Sequence, residues 1–179
     1  MVTGVLALAF VAVAAACDAG EATSPSWMEV DAASKKVSFH FITAWSATNN
    51  GWNFNGYLEG GATVVVPVGW NVRITLYNQD GNYPHSIVVT KPYALDEMPD
   101  KATRQEAAIS RAFTGGPENG VFAGNEDSLR FKAKKAGKYY LFCGVPGHGL
   151  SGMWIHLEIS ADADKPYVTI AEGVEPGAP

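Results

Sequence analysis

The sequence predicts an all-β fold, a sandwich of about seven or eight short strands. Only 17% of the 179 residues are charged, and 8 Phe, 7 Tyr and 5 Trp accompany 19 Gly and 10 Pro. This composition is typical of short strands joined by turns rather than of long helices. The length fits one domain, and 47% hydrophobic residues are enough to fill a single core.

Alternation of apolar and polar residues marks the individual strands. The clearest case is 71–78, where Val72, Ile74 and Leu76 share one face. The folded part is expected to begin near Lys36. The first expected strand begins at Lys36. Further strands are expected at 62–67, 71–78, 86–90, 128–133, 138–143 and 153–159, with an edge strand at 167–170.

The segment 92–125 has a different composition, with Pro, Gly, Asp and Asn spread among few apolar residues. It predicts a long irregular connection with one short helix near 101–108, capped by Asp100. A connection of this length inside a compact domain is usually functional or covers a sheet edge. The sequence leaves both roles open.

The N-terminus carries an apolar run at 5–16 that ends in small residues and Cys17. The run has the length of a signal-peptide core and is shorter than the roughly 20 residues of a transmembrane helix. Its ending resembles a bacterial lipobox, in which the cysteine is lipidated. However, Ala14 replaces the usual bulky residue, and no Lys or Arg precedes the run. A plain cleaved signal and an uncleaved short anchor are the alternatives.

Four parts follow along the chain. We expect a signal peptide at 1–17, a flexible tether at 18–35, a folded domain at 36–160 and a C-terminal extension at 161–179. The tether is expected because its residues are small, polar and acidic. This arrangement predicts an extracytoplasmic protein, on the periplasmic or cell-surface side, anchored to a membrane through a lipid on Cys17.

The charge pattern argues against nucleic-acid binding. The formal net charge is −5, and the 13 Lys and Arg residues are scattered along the chain. The two cysteines, Cys17 and Cys143, each have a local explanation, so no disulfide is expected between them.

The strongest motif is the stretch from Cys143 to Met153, in which Cys143, His148 and Met153 are each separated by four residues. Four glycines and a proline allow this loop to turn back, so that the three side chains converge. A thiolate, two imidazoles and a weak thioether are the donors of a blue copper site. The second imidazole is expected from His85, at the opening of a strand.

Each donor also has a structural explanation when taken alone. A lone buried cysteine is usually a small hydrophobe, and a methionine that begins a strand is usually part of the core. Taken together, the spacing favours copper. Zinc is disfavoured because it rarely uses methionine. His40 and His156 are expected on strand faces rather than among the ligands.

Several stretches resemble sulfocyanin, a membrane-associated branch of the cupredoxins. These stretches are 139–154, 52–56 and 66–72. The similarity covers roughly 52–159. The resemblance implies a Greek-key β-sandwich with one type 1 copper on His85, Cys143, His148 and Met153. It also implies electron transfer beside a respiratory or photosynthetic chain.

The expected function is therefore single-electron transfer between redox proteins of a membrane electron-transport complex, without a small-molecule substrate. No enzyme activity is expected, because a reductase normally needs an open metal position or a second copper. Electrons are expected to enter through His148, inside an apolar docking surface. That surface is expected to consist of Val145, Pro146, Gly147, Gly149 and Leu150. The alternatives are a periplasmic copper carrier and an accessory structural subunit of a membrane complex.

Overall fold

The structure, a computed structural model, describes residues 22–175, and nine strands lie within that range. The strands are β1 (Met28–Asp31), β2 (Lys36–Thr43), β3 (Ala62–Pro67), β4 (Asn71–Asn78), β5 (Val88–Thr90), β6 (Glu126–Lys132), β7 (Gly137–Phe142), β8 (Trp154–Ser160) and β9 (Tyr167–Ile170). The helical elements of the described part are three short 3-10 turns, Thr48–Gly51, Leu95–Glu97 and Arg104–Glu106.

The strands form two sheets. One has the order β1-β2-β4-β6 and the other has the order β5-β7-β8-β3-β9. The β2–β4 and β3–β8 pairs are parallel, and the other pairs are antiparallel. Strands β3 and β4 follow each other in the chain but belong to different sheets. The turn between them therefore carries the chain across the sandwich, and Gly69 provides the positive φ of 92° that this turn uses.

The core lies between the two sheets and follows from the alternation of the strands. Val72, Ile74 and Leu76 of β4 are all buried. Phe39 and Phe41 of β2 lie beside them, with ring centroids 6.5 Å apart. The predicted all-β sandwich is confirmed, with nine strands where seven or eight were expected.

The additional strand β1 lies in the segment 18–35, where a flexible tether was expected. The Trp27 ring lies 5.3 Å from that of Phe41, and Met28 is 8% exposed. These two apolar side chains bring the segment onto the sandwich although its other residues are small and polar. The folded part therefore begins before Lys36.

At the other end of the chain, β9 forms the edge strand expected at 167–170. It pairs antiparallel with β3, and Val168 is fully buried. Part of the expected extension 161–179 therefore belongs to the sheet.

The connection 92–125 contains no α-helix at 101–108. Arg104–Glu106 is a single 3-10 turn, and its cap is Thr103 with Glu106 rather than the expected Asp100. The backbone becomes extended directly after this turn, because Ala108 donates its backbone N–H to the Val89 carbonyl (2.8 Å). A helix continuing through 108 would lose this bond.

The same connection satisfies the free edge of β5. Val89 donates to the Ala112 carbonyl (2.9 Å), and Thr114 donates to the Ile87 carbonyl (2.9 Å). Unpaired N–H and C=O groups at an edge strand invite unwanted pairing. Of the two roles left open by the sequence, the structure shows that the connection covers a sheet edge.

Within residues 22–175 we find no helix that is both long and apolar enough to cross a bilayer. The expected signal peptide at 1–17 and the lipidation residue Cys17 lie outside the described residues.

The place of β1 in the sandwich gives a stability prediction. We expect Met28→Ala to lower the free energy of unfolding by about 2 kcal/mol, the low end of the range for truncating a buried methionine. Val30→Ala truncates a residue of the same strand that is 43% exposed, and should change stability by no more than about 0.5 kcal/mol. Urea unfolding measures both. Equal effects of the two variants would show that β1 does not belong to the cooperative unit.

Candidate metal centre

The candidate donors come from two neighbouring places in the five-stranded sheet. Cys143 directly follows β7 and Met153 directly precedes β8. These strands are antiparallel neighbours, and the Cys143 N–H donates to the Met153 carbonyl (3.0 Å). His85 precedes β5, which pairs with the other side of β7. The sheet therefore brings the far-separated His85 to the loop 144–152.

The side chains of His85, Cys143 and His148 converge. Their donor atoms all lie within 4.8 Å of one another. His148 Nδ1 is 3.2 Å from His85 Nδ1 and 3.7 Å from Cys143 Sγ. His85 and Cys143 are fully buried, and His148 is 3% exposed. A thiol and two imidazoles that meet in a dry pocket have the chemistry that fits a copper ion.

Met153 lies at the closing end of the same loop. Its N–H donates to the His148 carbonyl (3.0 Å), its carbonyl accepts from Cys143, and its side chain is fully buried. The backbone bonds therefore tie all three residues of the predicted motif to one another.

Asp80 is a functional residue that the sequence did not reveal. Its Oδ2 lies 2.8 Å from His85 Nε2, and its Oδ1 accepts from the N–H groups of Asn82 (2.8 Å) and Tyr83 (3.2 Å). A carboxylate at Nε2 holds the proton there and leaves the Nδ1 lone pair facing His148 and Cys143. In the sequence, Asp80-Gly81-Asn82 had the pattern of an ordinary turn. An acidic residue five positions before His85 was the available signal.

Asn78 at the end of β4 holds this turn in place. Its Oδ1 accepts from the Asp80 N–H (2.8 Å), and its Nδ2 donates to the carbonyls of Tyr83 (2.9 Å) and Val121 (2.8 Å). The Thr43 hydroxyl also donates to Asn78 Oδ1 (2.8 Å). The position of His85 thus depends on a hydrogen-bond network that is anchored on β2 and β4 of the four-stranded sheet.

The pocket strongly perturbs its titratable groups. Burial raises the pKa of Cys143 to about 11, although hydrogen bonds from Ser86 and Val145 oppose the shift. Burial, with a smaller contribution from His85, lowers the pKa of His148 to about 4. Burial also lowers the pKa of His85, against the effect of Asp80. At neutral pH the metal-free pocket therefore holds neutral imidazoles and a protonated thiol.

Asp80 is the charged member of this group. Burial alone raises its pKa, but the hydrogen bonds from His85, Asn82 and Tyr83 outweigh burial and leave the pKa below its usual value. A single negative charge thus lies behind His85, on the side away from the other donors.

Close packing holds the loop 144–152. A Cβ at Gly149 would overlap the Phe142 ring, and a Cβ at Gly144 would overlap the Ala102 carbonyl. The Ser86 hydroxyl accepts from the Gly144 N–H (2.8 Å) and lies 4.0 Å from Cys143 Sγ. Glycines therefore serve this loop both by turning it and by allowing its backbone to approach its neighbours.

The connection 92–125 braces the loop from outside. Gly147 donates to the Asp100 carbonyl (2.8 Å), and Ala102 donates to the Gly144 carbonyl (3.2 Å). The segment that covers the β5 edge thus also supports the metal-binding loop.

The docking surface predicted around His148 is only partly exposed. Val145 and Gly149 are buried and His148 itself is nearly so, whereas Pro146 and Leu150 are exposed. His148 is buried beneath an aromatic cover that the sequence did not suggest. The Trp52 ring stacks on His148 at 4.1 Å with an interplanar angle of 18°, and Tyr83 meets both rings edge-on.

His40 and His156 lie outside the cluster, as expected. His40 is exposed on β2, with its Nε2 3.9 Å from a Glu29 carboxylate oxygen. His156 packs edge-on against the rings of Tyr140 and Trp154.

Comparison with known proteins agrees with this geometry. The family model described as the Sulfocyanin (SoxE) domain matches residues 23–170. Sulfocyanin of Sulfolobus acidocaldarius is 30% identical over 141 residues, which cover 76% of this chain and 70% of that protein. Rusticyanin of Acidithiobacillus ferrooxidans is 30% identical over 95 residues, which cover 51% of this chain and 46% of rusticyanin.

Among solved structures, reduced auracyanin of Roseiflexus castenholzii is similar. The match covers 69% of this chain and 96% of auracyanin, at 20% identity and a TM-score of 0.49.

The family match spans both sheets and includes the three clustered donors, His85, Cys143 and His148. Their donor set is the one that type 1 copper uses. The chain belongs to the sulfocyanin family of blue copper proteins, which carry electrons.

Proposed function

We propose that His85, Cys143, His148 and Met153 hold one type 1 copper ion, and that the protein passes single electrons between redox proteins of a membrane electron-transport chain. The observation that carries the ligand assignment is the convergence of three donor atoms within 4.8 Å in a buried pocket. A copper ion bound there supplies a one-electron couple, since it alternates between Cu(I) and Cu(II).

The residues around the donors suit this role because they limit rearrangement. Asp80 fixes the ring of His85, and Ser86 fixes the backbone after Cys143. The loop closure between Cys143 and Met153 continues the β7–β8 ladder. Donors held in this way keep their positions when the charge at the site changes, which favours fast electron transfer.

Met153 is proposed as the fourth, weak donor. Its side chain is fully buried, and its backbone hydrogen-bonds to Cys143 and His148. Thioether sulfur is a soft donor, and it would complete the donor set of a blue copper site as a weak ligand.

The buried donors favour an electron carrier over two rival functions, a copper carrier and a copper-dependent reductase. A carrier that hands copper on needs donors that a partner can reach, and a reductase needs an open coordination position. Here His85, Cys143 and Met153 are fully buried and His148 is 3% exposed. The accessory-subunit alternative relied on the tether, the long connection 92–125 and the C-terminal tail. The connection contacts β5 and the ligand loop, and part of the tail pairs with β3 as β9, so both segments have a role within the domain.

We also propose that the protein works outside the cytoplasm, tethered to a membrane through a lipid on Cys17. The apolar run 5–16 and the small residues before Cys17 support this proposal. Because Thr23 already pairs with Val168 of β9, about five residues, 18–22, remain as the tether between Cys17 and the sandwich. The domain would therefore stay close to the membrane surface.

The tether is tested by mass spectrometry of the mature protein from its native membrane. We expect a mature N-terminus at Cys17 with a mass increment of diacylglycerol or more. Cys17→Ala should release the protein from the membrane fraction. An unmodified N-terminus on either side of Cys17 would refute lipidation and favour a plain cleaved signal.

The copper site is tested by absorption and EPR spectra of the copper-loaded protein. We expect an intense visible thiolate-to-copper band in the wild type and its loss in Cys143→Ser, because the hydroxyl is not a soft donor. His40→Gln, at an exposed histidine outside the cluster, should keep the band.

The Met153→Leu variant tests the proposed thioether donor separately from the other three donors. It should keep the visible band and raise the reduction potential, because the lost thioether stabilises Cu(II) more than Cu(I). Met98→Leu changes a partly buried methionine of the connection and should leave the potential unchanged. A copper-loaded wild type without the band would contradict the proposed function.

Asp80 gives a further prediction. We expect Asp80→Ala to weaken copper binding about 10–100-fold, the usual cost of removing the partner that orients a ligating histidine. A competition titration against a chelator measures the change. Asp162→Ala removes an exposed carboxylate that makes no contact with His85, and it should leave the copper affinity unchanged. If both variants bind equally, Asp80 does not position His85.

A further inference from the structure

Every proposed donor of the metal site is covered. His85, Cys143 and Met153 are fully buried, and His148 is 3% exposed. An electron that enters or leaves the site must therefore cross another group before it reaches a partner. The groups that cover His148 decide which route is shortest.

Trp52 makes the closest ring contact with His148. The two rings are nearly parallel, at 18°, with their centroids 4.1 Å apart, whereas Tyr83 lies edge-on to His148 at 6.0 Å. Trp52 is only partly buried, so the residue that stacks on His148 is also in contact with solvent. Face-to-face overlap couples two π systems over a larger area than an edge contact does. The geometry favours Trp52 over Tyr83 as the connecting group.

The loop that precedes Trp52 is built to hold it there. Asn49 and Asn50 adopt left-handed φ angles of 54° and 57°, a conformation that asparagine tolerates better than most residues. The Asn49 side chain donates to the Trp52 carbonyl (3.1 Å) and to the Ser151 carbonyl (2.9 Å). One amide therefore joins the backbone of Trp52 to the loop that carries His148.

Ring contacts with His148 and Tyr83, rather than a hydrogen bond, hold the indole ring. Trp52 Nε1 is buried and has no hydrogen-bond partner within residues 22–175. An unpaired buried N–H costs free energy, on the order of 1–3 kcal/mol. A tryptophan that serves only to fill space would not need that cost, since an apolar side chain would fill the same volume.

We propose that Trp52 is the electron port of this protein, the group through which His148 exchanges electrons with a redox partner. This inference rests on the proposed function. The step moves one electron from the reduced centre of one molecule to the oxidised centre of the other. No bond is made or broken, and no proton moves. The partner is a protein that brings its own redox centre against the solvent-accessible part of Trp52.

The test uses electron self-exchange between two copies of this chain, measured by NMR line broadening in mixtures of oxidised and reduced copper-loaded protein. In Trp52→Leu the ring is lost and an apolar cover remains. We expect self-exchange to slow roughly tenfold, which corresponds to a rise of about 1.4 kcal/mol in the barrier. Trp52→Phe keeps an aromatic face and should lose less.

Trp45→Leu is the matched control. Trp45 is also partly buried, but it lines a groove with Trp27, His40 and Tyr57 rather than covering His148. Its loss should leave the self-exchange rate unchanged. Asn49→Asp is a second variant that keeps the Trp52 ring, tolerates the left-handed backbone and removes the amide donor. Asn49→Asp should also slow self-exchange, as Trp52→Leu does.

Two readouts separate a port from a structural support. The visible band and the reduction potential should stay unchanged in Trp52→Leu while the rate falls. In the metal-free protein, the His148 ring protons should show an upfield NMR shift from the Trp52 ring current that disappears in the variant.

An unchanged or faster exchange in Trp52→Leu, with the band intact, would overturn the port and make Trp52 a shield. A rate that falls only together with a shifted potential would also overturn it, in favour of a structural role. A wild type without the visible band would instead refute the proposed function, and the port with it.

Discussion

The hydrogen bond from the Cys143 N–H to the Met153 carbonyl is the contact on which the metal centre depends. It extends the antiparallel β7–β8 ladder by one pair beyond Phe142 and Trp154. The loop between the two residues is therefore closed by the sheet itself. The loop then needs only small residues to turn back, and its glycines leave room for the Phe142 ring and for the connection 92–125. The pairing of β7 with β8 thus brings the two ends of the motif, Cys143 and Met153, next to each other.

The strands and the candidate metal-binding loop could be predicted because their signals are local. Alternation in 71–78 reports burial directly, and the spacing of Cys143, His148 and Met153 lies within one loop. Asp80 and Trp52 were missed because their roles exist only across the fold. Asp80 looks like a turn residue until its carboxylate reaches His85, and Trp52 looks like one more core aromatic until it lies on His148.

The connection 92–125 shows a different limit of sequence reasoning. Its residues have few apolar side chains, so neither alternation nor helical periodicity describes them. Its contacts run instead through backbone groups, such as Ala108 to Val89 and Gly147 to Asp100. Every residue offers a backbone carbonyl, and every residue except proline also offers an N–H, so the sequence does not show where these groups pair. The helix expected at 101–108 failed for the same reason, because an edge strand takes the N–H of Ala108.

The two parallel strand pairs have a consequence for how the protein forms. Strand β3 pairs with β8, and β2 pairs with β4, so neither sheet is complete until distant parts of the chain have met. Pairings of this kind give a high contact order and slow folding. β8 directly follows Met153, so the donor loop closes only as one of the last strands to be synthesised joins its sheet. The loop that carries Cys143 is thus completed only at the end of folding, and from that point the thiol is buried and shielded from solvent.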